Sequence, residues 1–266
     1  MKRITPVFNR RIFLTVLLLS AATTLYSEII SGEEIMRRVD NRYTGETGKN
    51  LTTITLINKR GNSRVREIVS YTKDYGDTEK NVMVFQQPRD VAGVGYLAYS
   101  YDEIGKDDDT WLFLPAMKRS RRISGSSRND YFMGTDFTYD DMGDRKVEED
   151  THSYEGEDQI DGSPCWIVES VPRESGYIYS RRVTWIRQDV LIPVKVEYYD
   201  RQGELQKVLN ASDIVKIDGV WTVQRMEMNN IQQEHRTILE FRQIQYNLPV
   251  EDSFFSVATL ERGRIR

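Results

Sequence analysis

Two histidines, one cysteine and a few clustered acids are the side chains here whose types could do bond-making chemistry. His152 and His235 lie far apart, each among charged neighbours, so the pattern predicts two exposed strand histidines and no proton-transfer dyad. Cys165 is the single cysteine and stands beside Trp166 in SPCWIVESV. It reads as a buried, inert thiol, and it excludes an intramolecular disulfide. Asp107, Asp108 and Asp109 with Glu103 offer oxygens to a hard cation, but their spacing is not that of an EF-hand. A solvated acidic turn is the expectation there, and the same holds for Asp140 and Asp141. There is no G-x-S-x-G and no H-E-x-x-H, and Gly93 and Gly95 lack the third glycine and following helix of a dinucleotide site. The reading is of a non-enzyme: no catalytic residue, no metal and no cofactor.

The chemistry that remains is that of surfaces and cavities, concentrated between Asp107 and Asp144. Trp111, Leu112, Phe113 and Leu114 form an apolar run on both parities, as in a strand buried on both faces or lining a cavity. Pro115 cannot donate a ladder hydrogen bond, so the strand ends or bends there. A loop dense in aromatics and Met follows, with Tyr131, Phe132, Met133, Phe137 and Tyr139. It either plugs one end of an ordinary core or covers an apolar pocket. On the second reading Trp111, Phe113, Leu114, Met117, Phe132, Met133 and Phe137 are the candidate cavity or lid residues. Met83, Met117, Met133, Met142, Met226 and Met228 would give such a cavity an adaptable lining. Between the strand and the loop lie Lys118, Arg119, Arg121 and Arg122. They form either a solvated strand face or the mouth of the pocket, where Arg119, Arg121 and Arg122 would meet lipid phosphates or an acidic partner.

The elements that must position these residues are mostly strands. Residues 1–27 have the form of a secretory signal peptide, with Lys2, Arg3, Arg10 and Arg11 before the uncharged stretch Ile12–Leu25 and a small residue at Ser27. No cysteine follows the expected cut, so the reading is of a soluble, unlipidated periplasmic protein. Removing those residues takes away four basic and no acidic residues and moves the net charge from −4 to −8. That balance excludes bulk nucleic-acid binding. Ser31 and Glu34 have capping-box spacing ahead of an apolar stripe at Ile35, Met36 and Val39, which predicts a helix. From Leu51 onward the apolar period is two, with turns at Arg60–Ser63 and Asp200–Gly203 and a tight hairpin at Asp218-Gly219. Residues 28–266 then form one mainly β domain, a single curved antiparallel sheet of about eleven strands.

Longer motifs point to a family. WLFLPAMKRSRRI followed by DYFMGTDFTYDDM, with QQPRDVAGVGYL upstream and the closing L-P-x5-F-S at Leu248–Ser256, resembles the pattern of the outer membrane lipoprotein-sorting proteins of the LolA-like superfamily. The resemblance spans essentially the whole chain after residue 27. It implies an incomplete, half-barrel sheet lidded by helices and loops over a hydrophobic cavity. The function implied is a periplasmic carrier that binds lipid or lipoprotein acyl chains for transfer toward the outer membrane or between membrane partners. The partners implied are an inner-membrane RND-type or lipoprotein-releasing transporter and an outer-membrane acceptor. The alternative is an RseB-like lipid-sensing or exporter-associated interaction module without carrier activity.

Overall fold

The computed structural model describes residues 30–143, 145–263 and 265; the predicted signal peptide, residues 1–27, lies outside them. Period-two alternation does form strands. On neighbouring positions Ile68, Met83, Tyr96 and Leu112 face one side of the sheet while Val69, Val84, Leu97 and Phe113 face the other. The first six strands are β1 (Thr47–Ile57), β2 (Ser63–Asp74), β3 (Thr78–Gln87), β4 (Gly95–Tyr101), β5 (Asp109–Leu114) and β6 (Arg119–Ile123). The remaining seven are β7 (Asp150–Ile160), β8 (Ser163–Pro172), β9 (Arg181–Arg187), β10 (Ile192–Tyr199), β11 (Leu205–Ile217), β12 (Val220–Asn230) and β13 (His235–Tyr246). Among the described residues there are also two α-helices, α1 (Gly32–Asp40) and α2 (Val257–Glu261), and five short 3-10 turns.

All thirteen strands form one antiparallel, unclosed sheet in the order β6-β5-β4-β3-β2-β1-β13-β12-β11-β10-β9-β8-β7. The chain thus builds two meanders that join where β1 pairs with β13. The count exceeds the expected eleven because both edge strands are polar. β6 is RSRRI and β7 is DTHSYEGEDQI, so neither shows the apolar alternation by which a strand is recognised. Charged edges are what an open sheet needs to avoid pairing with another chain.

This strand order also places the aromatic loop. Residues 124–149 join β6 to β7, the two opposite edges, so the connection must run across a face of the sheet. It crosses the inner face as a strap, burying Phe132 and Tyr139 against β1–β5 and Phe137 against β10 and β12. The expected helix α1 forms with Ser31 as its cap, the Ser31 hydroxyl accepting the Glu34 N–H at 3.1 Å. It covers the same face over β7–β9, with Ile35 packed on Val168 and Ile186. Gly32 is required by that packing: a Cβ there would lie 2.7–2.9 Å from the backbone of His152 and Ser153. The opposite face of β2–β5 is covered by the C-terminal segment through Phe255, Leu260 and Ile265. Asp218 and Gly219 take positive φ at the β11–β12 hairpin, as expected for that pair. Among the described residues no helix is long and apolar enough to cross a membrane.

Candidate functional site

Between the strap and the central strands lies a cavity of about 250 Å³. β1, β2 and β3 contribute Thr52, Ile54, Ile68 and Met83, β12 and β13 contribute Met226, Leu239 and Phe241, and the strap contributes Phe132, Phe137 and Met142. The wall is mostly apolar, with Asn50, Ser70, Asn81 and Asp141 at its margins. A second cavity of about 200 Å³ shares Asn50, Met226 and Phe241 with the first and continues along β12 and β13 to Trp221, Ile244, Tyr246 and Arg42. The inner face therefore carries one apolar groove, roofed at one end by the strap.

The strap is held over this groove by buried polar contacts. Lys207 on β11 has no solvent exposure. Its Nζ donates to the Asp136 carbonyl at 3.0 Å and to the Asp141 carboxylate, and it stands 5.1 and 5.0 Å from the ring centroids of Tyr179 and Tyr198. Asp141 also accepts the Thr138 N–H at 2.7 Å and the Tyr179 hydroxyl at 2.8 Å. Burial, with Asp141 adding to it, holds the Tyr179 and Tyr198 hydroxyls well above the usual phenol range, so both stay protonated and Tyr179 donates to Asp141. The Asp136 carboxylate takes the Thr237 hydroxyl at 2.6 Å and Nδ1 of His235 at 2.7 Å, and its N–H donates to Thr237 Oγ1 at 2.9 Å. Asn230 donates to the Tyr131 hydroxyl at 3.0 Å and Arg66 to the Met133 carbonyl.

Beyond Asp141 the strap borders a polar chamber of about 220 Å³ reaching Asp150, His152, Ser170, Arg182 and Thr184. Burial acts to raise the Asp150 carboxyl, but hydrogen bonds and charge from Arg145 and Arg182 outweigh it and leave the group below its usual range. His152 is held below its usual range by burial, its ring nitrogens 2.8 Å from Ser170 Oγ and 2.9 Å from the Val147 carbonyl.

The structure brings some of the expected site residues together and separates others. Phe132 and Phe137 line the cavity, and Leu114 and Met133 pack on the cluster beside it. Trp111 and Phe113 lie on the opposite face beneath the C-terminal segment, with Leu97, Phe255 and Leu260. Parity explains this: Leu112, not Phe113, points toward the strap. Met117 is 50% exposed in the β5–β6 turn. Of the other expected methionines, Met83, Met142 and Met226 reach the cavity, while Met228 is fully buried among Phe137, Tyr179 and Tyr198. Arg119, Arg121 and Arg122 are exposed on β6. Arg119 and Arg121, paired with Leu114 and Leu112, stand on the strap side, whereas Arg122 stands opposite Trp111 and pairs with Asp109. The histidines are strand residues as expected, yet both are partly buried and hydrogen-bonded. Asp141 is also no solvated acid, being paired with Lys207 inside the protein. Cys165 is fully buried. Among the described residues no three His, Cys, Asp or Glu side chains are grouped to hold a metal ion.

The reading of the sequence missed Lys207, Thr237 and the groove residues Leu239 and Phe241. The strand parity of β13 could have paired Thr237, Leu239 and Phe241 on one face, but nothing local marks Lys207 as buried.

A family model described as an uncharacterized protein matches residues 77–262. No curated protein matches the sequence. A DUF1329 family protein from Desulfovibrio piger is 33% identical, with 86% of this chain and 97% of that chain covered and a TM-score of 0.82. A domain named for outer membrane lipoprotein sorting, from Vibrio parahaemolyticus, is 29% identical, covering 87% of this chain and 98% of that one at a TM-score of 0.81. A LolA superfamily protein from Nitrosomonas europaea shares the fold at 16% identity and a TM-score of 0.66, covering 85% of this chain and 98% of that one.

Proposed function

Because this chain belongs to the DUF1329 family and has the LolA-like fold, we propose that it is a periplasmic carrier of lipid or lipoprotein acyl chains. The observation that supports this best is the apolar groove on the inner face, roofed by a strap anchored both by buried aromatics and by polar contacts. Burying a sixteen-carbon chain is worth roughly 12 kcal/mol gross at ~0.8 kcal/mol per methylene, less ordering and desolvation costs. A wholly hydrophobic lid would be equally content closed on itself. This strap is held by Phe132, Phe137 and Tyr139 as well as by ion pairs and hydrogen bonds, so on lifting its polar groups can turn to water while a cargo tail replaces the aromatic contacts.

The space under the closed strap, about 250 Å³, falls just below the roughly 300–1,000 Å³ of small-molecule sites. A larger cargo therefore requires the strap to lift, and loading and lid opening are one event in this reading. Residues 1–27 direct export, and residues 28–266 work as one domain in the periplasm. Arg119 and Arg121, on the strap side of the exposed edge, meet headgroup phosphates or the acidic surface of a transporter or outer-membrane acceptor. Arg122 supports the same surface from the other face. Of the residues proposed from sequence, Phe132, Met133, Phe137 and Leu114 act at the cavity or its lid, while Trp111 and Phe113 serve to fasten the C-terminal segment.

The test is native mass spectrometry with organic extraction on protein purified from periplasm without detergent. A stoichiometric adduct that extracts as acyl material is the expected result. A clean apo mass, with no uptake of a fluorescent fatty-acid probe, would leave the lipid-independent interaction module as the better reading.

A further inference from the structure

The apolar groove ends on a charge. Arg42, just past α1, lines the second cavity with Trp221, Ile244, Tyr246 and Val220, beyond the residues shared with the first. One guanidinium nitrogen donates to the Trp221 carbonyl at 3.2 Å. Nε is buried with no hydrogen-bond partner, and among the described residues the side chain has no ion-pair partner. Burial alone pushes this guanidinium below its usual value, with the Tyr246 hydroxyl opposing weakly. Lys207 is matched by Asp141, and Arg145 and Arg182 share Asp150; Arg66, half-buried on β2, meets the Met133 carbonyl of the strap, whereas Arg42 faces the open groove. Arg42 is half-buried, with Nε wholly covered, and a cation partly stripped of water without an anion gains when an anion arrives.

The groove leading to it has the dimensions of one chain. The first cavity is centred on Ile54 and Leu239, and the second reaches Tyr246, so the groove runs along β13 from Leu239 to Tyr246. Seven residues at ~3.3 Å each, less the one-residue bulge at Gln243, give roughly 20 Å. One leaflet of a bilayer, half of the ~30 Å hydrocarbon core, is the span of a single acyl chain. The two cavities meet at Asn50, Met226 and Phe241 on the neighbouring strands β1, β12 and β13, so the passage spans two strand spacings, ~10 Å between backbones before side chains narrow it.

We propose that the groove takes a single-chain amphiphile with an anionic head, the tail running beneath the strap and the carboxylate or phosphate seated on Arg42. This rests on the carrier reading and narrows its cargo from acyl chains in general to one chain with one negative head. It also places the head at the Trp221 end of the groove, away from the arginines of β6.

The experiment is a fluorescence titration of the full mature chain with cis-parinaric acid and with its methyl ester, on the wild type and on Arg42→Gln and Arg42→Lys. The wild type should bind the acid about tenfold more tightly than the ester, the ratio expected from one charge-assisted contact. Arg42→Gln should abolish that preference while leaving ester affinity within about twofold, and Arg42→Lys should restore most of it. Hexadecyl phosphate should displace the acid, which extends the site to phosphate heads; failure to displace while the acid preference holds assigns it to carboxylates. Displacement by inorganic phosphate alone at the same concentration would overturn the proposal, since the tail would then be irrelevant. Equal affinity for acid and ester, unchanged in Arg42→Gln, would overturn the role of Arg42 while leaving a carrier. No binding of either probe would instead remove the carrier reading itself. Circular dichroism of both variants separates lost binding from lost fold.

Discussion

Replacing Lys207 by Met isolates what holds the strap down. Lys207 has no solvent exposure and forms an ion pair with Asp141, whose side chain is 4% exposed. Removing the ammonium leaves the Asp141 carboxylate buried with only the Thr138 N–H and Tyr179 hydroxyl as donors. The Asp136 carbonyl loses its donor as well. Breaking a buried pair from one side costs about 3–5 kcal/mol. β11 is laddered to β10 and β12, whereas the strap's own ladder is one isolated bridge, Tyr131 to Thr138. The loss therefore falls on the closed state of the strap, and its open population should rise by roughly 10²–10⁴-fold. Hydrogen exchange resolved by mass spectrometry over residues 130–142 reads this directly, with β1, β2, β12 and β13 as internal controls that keep their protection. The double variant Lys207→Met with Asp141→Asn removes both charges, so exchange should return most of the way to wild type. If Lys207→Met exchanges like the wild type, or if the double variant is no better than the single one, the pair does not anchor the strap.

Four further outcomes follow from the same geometry. Leu239→Trp should fill the groove and abolish uptake of an acyl probe with little change in melting temperature. Phe113→Ala should cost about 3–5 kcal/mol by loosening the C-terminal segment yet leave uptake intact, because the side chain packs with Leu97 and Leu260 on the other face; equal effects on uptake would refute that placement. His152 is held below its usual range of about 6.5 by burial. The unfolded chain therefore binds a proton in a window where the folded chain does not, and stability falls as pH drops below about 6.5. His152→Gln should flatten that fall, read as urea midpoints at pH 7.5 and 5.5. Gly32→Ala should displace α1 from β7, since its methyl group meets backbone that cannot yield; limited proteolysis after Arg37 and Arg38 reports the detachment.

The period-two pattern, the capped helix at Ser31 and the Asp218-Gly219 hairpin are local properties, and each is legible because it depends on neighbours a few residues away. The long central motif likewise carries the family and so the curved open sheet. What local pattern could not decide was sidedness. Trp111 to Leu114 is apolar on both parities because both faces are covered, one by the strap and one by residues more than a hundred positions downstream. The polar edges β6 and β7 escaped because solvated strands need no apolar alternation. Lys207 reads as a surface lysine until Asp141, sixty-six residues away, is carried across the sheet to meet it. Arg42 is a milder case without the partner: its type and place in the sequence say solvent, and the groove leaves it half-buried with Nε covered. The sequence by itself determined which segments become strands and which family they build. The tertiary structure alone decided which side chains face the groove and which charges are buried there, because burial depends on what covers a residue and not on what adjoins it in the chain.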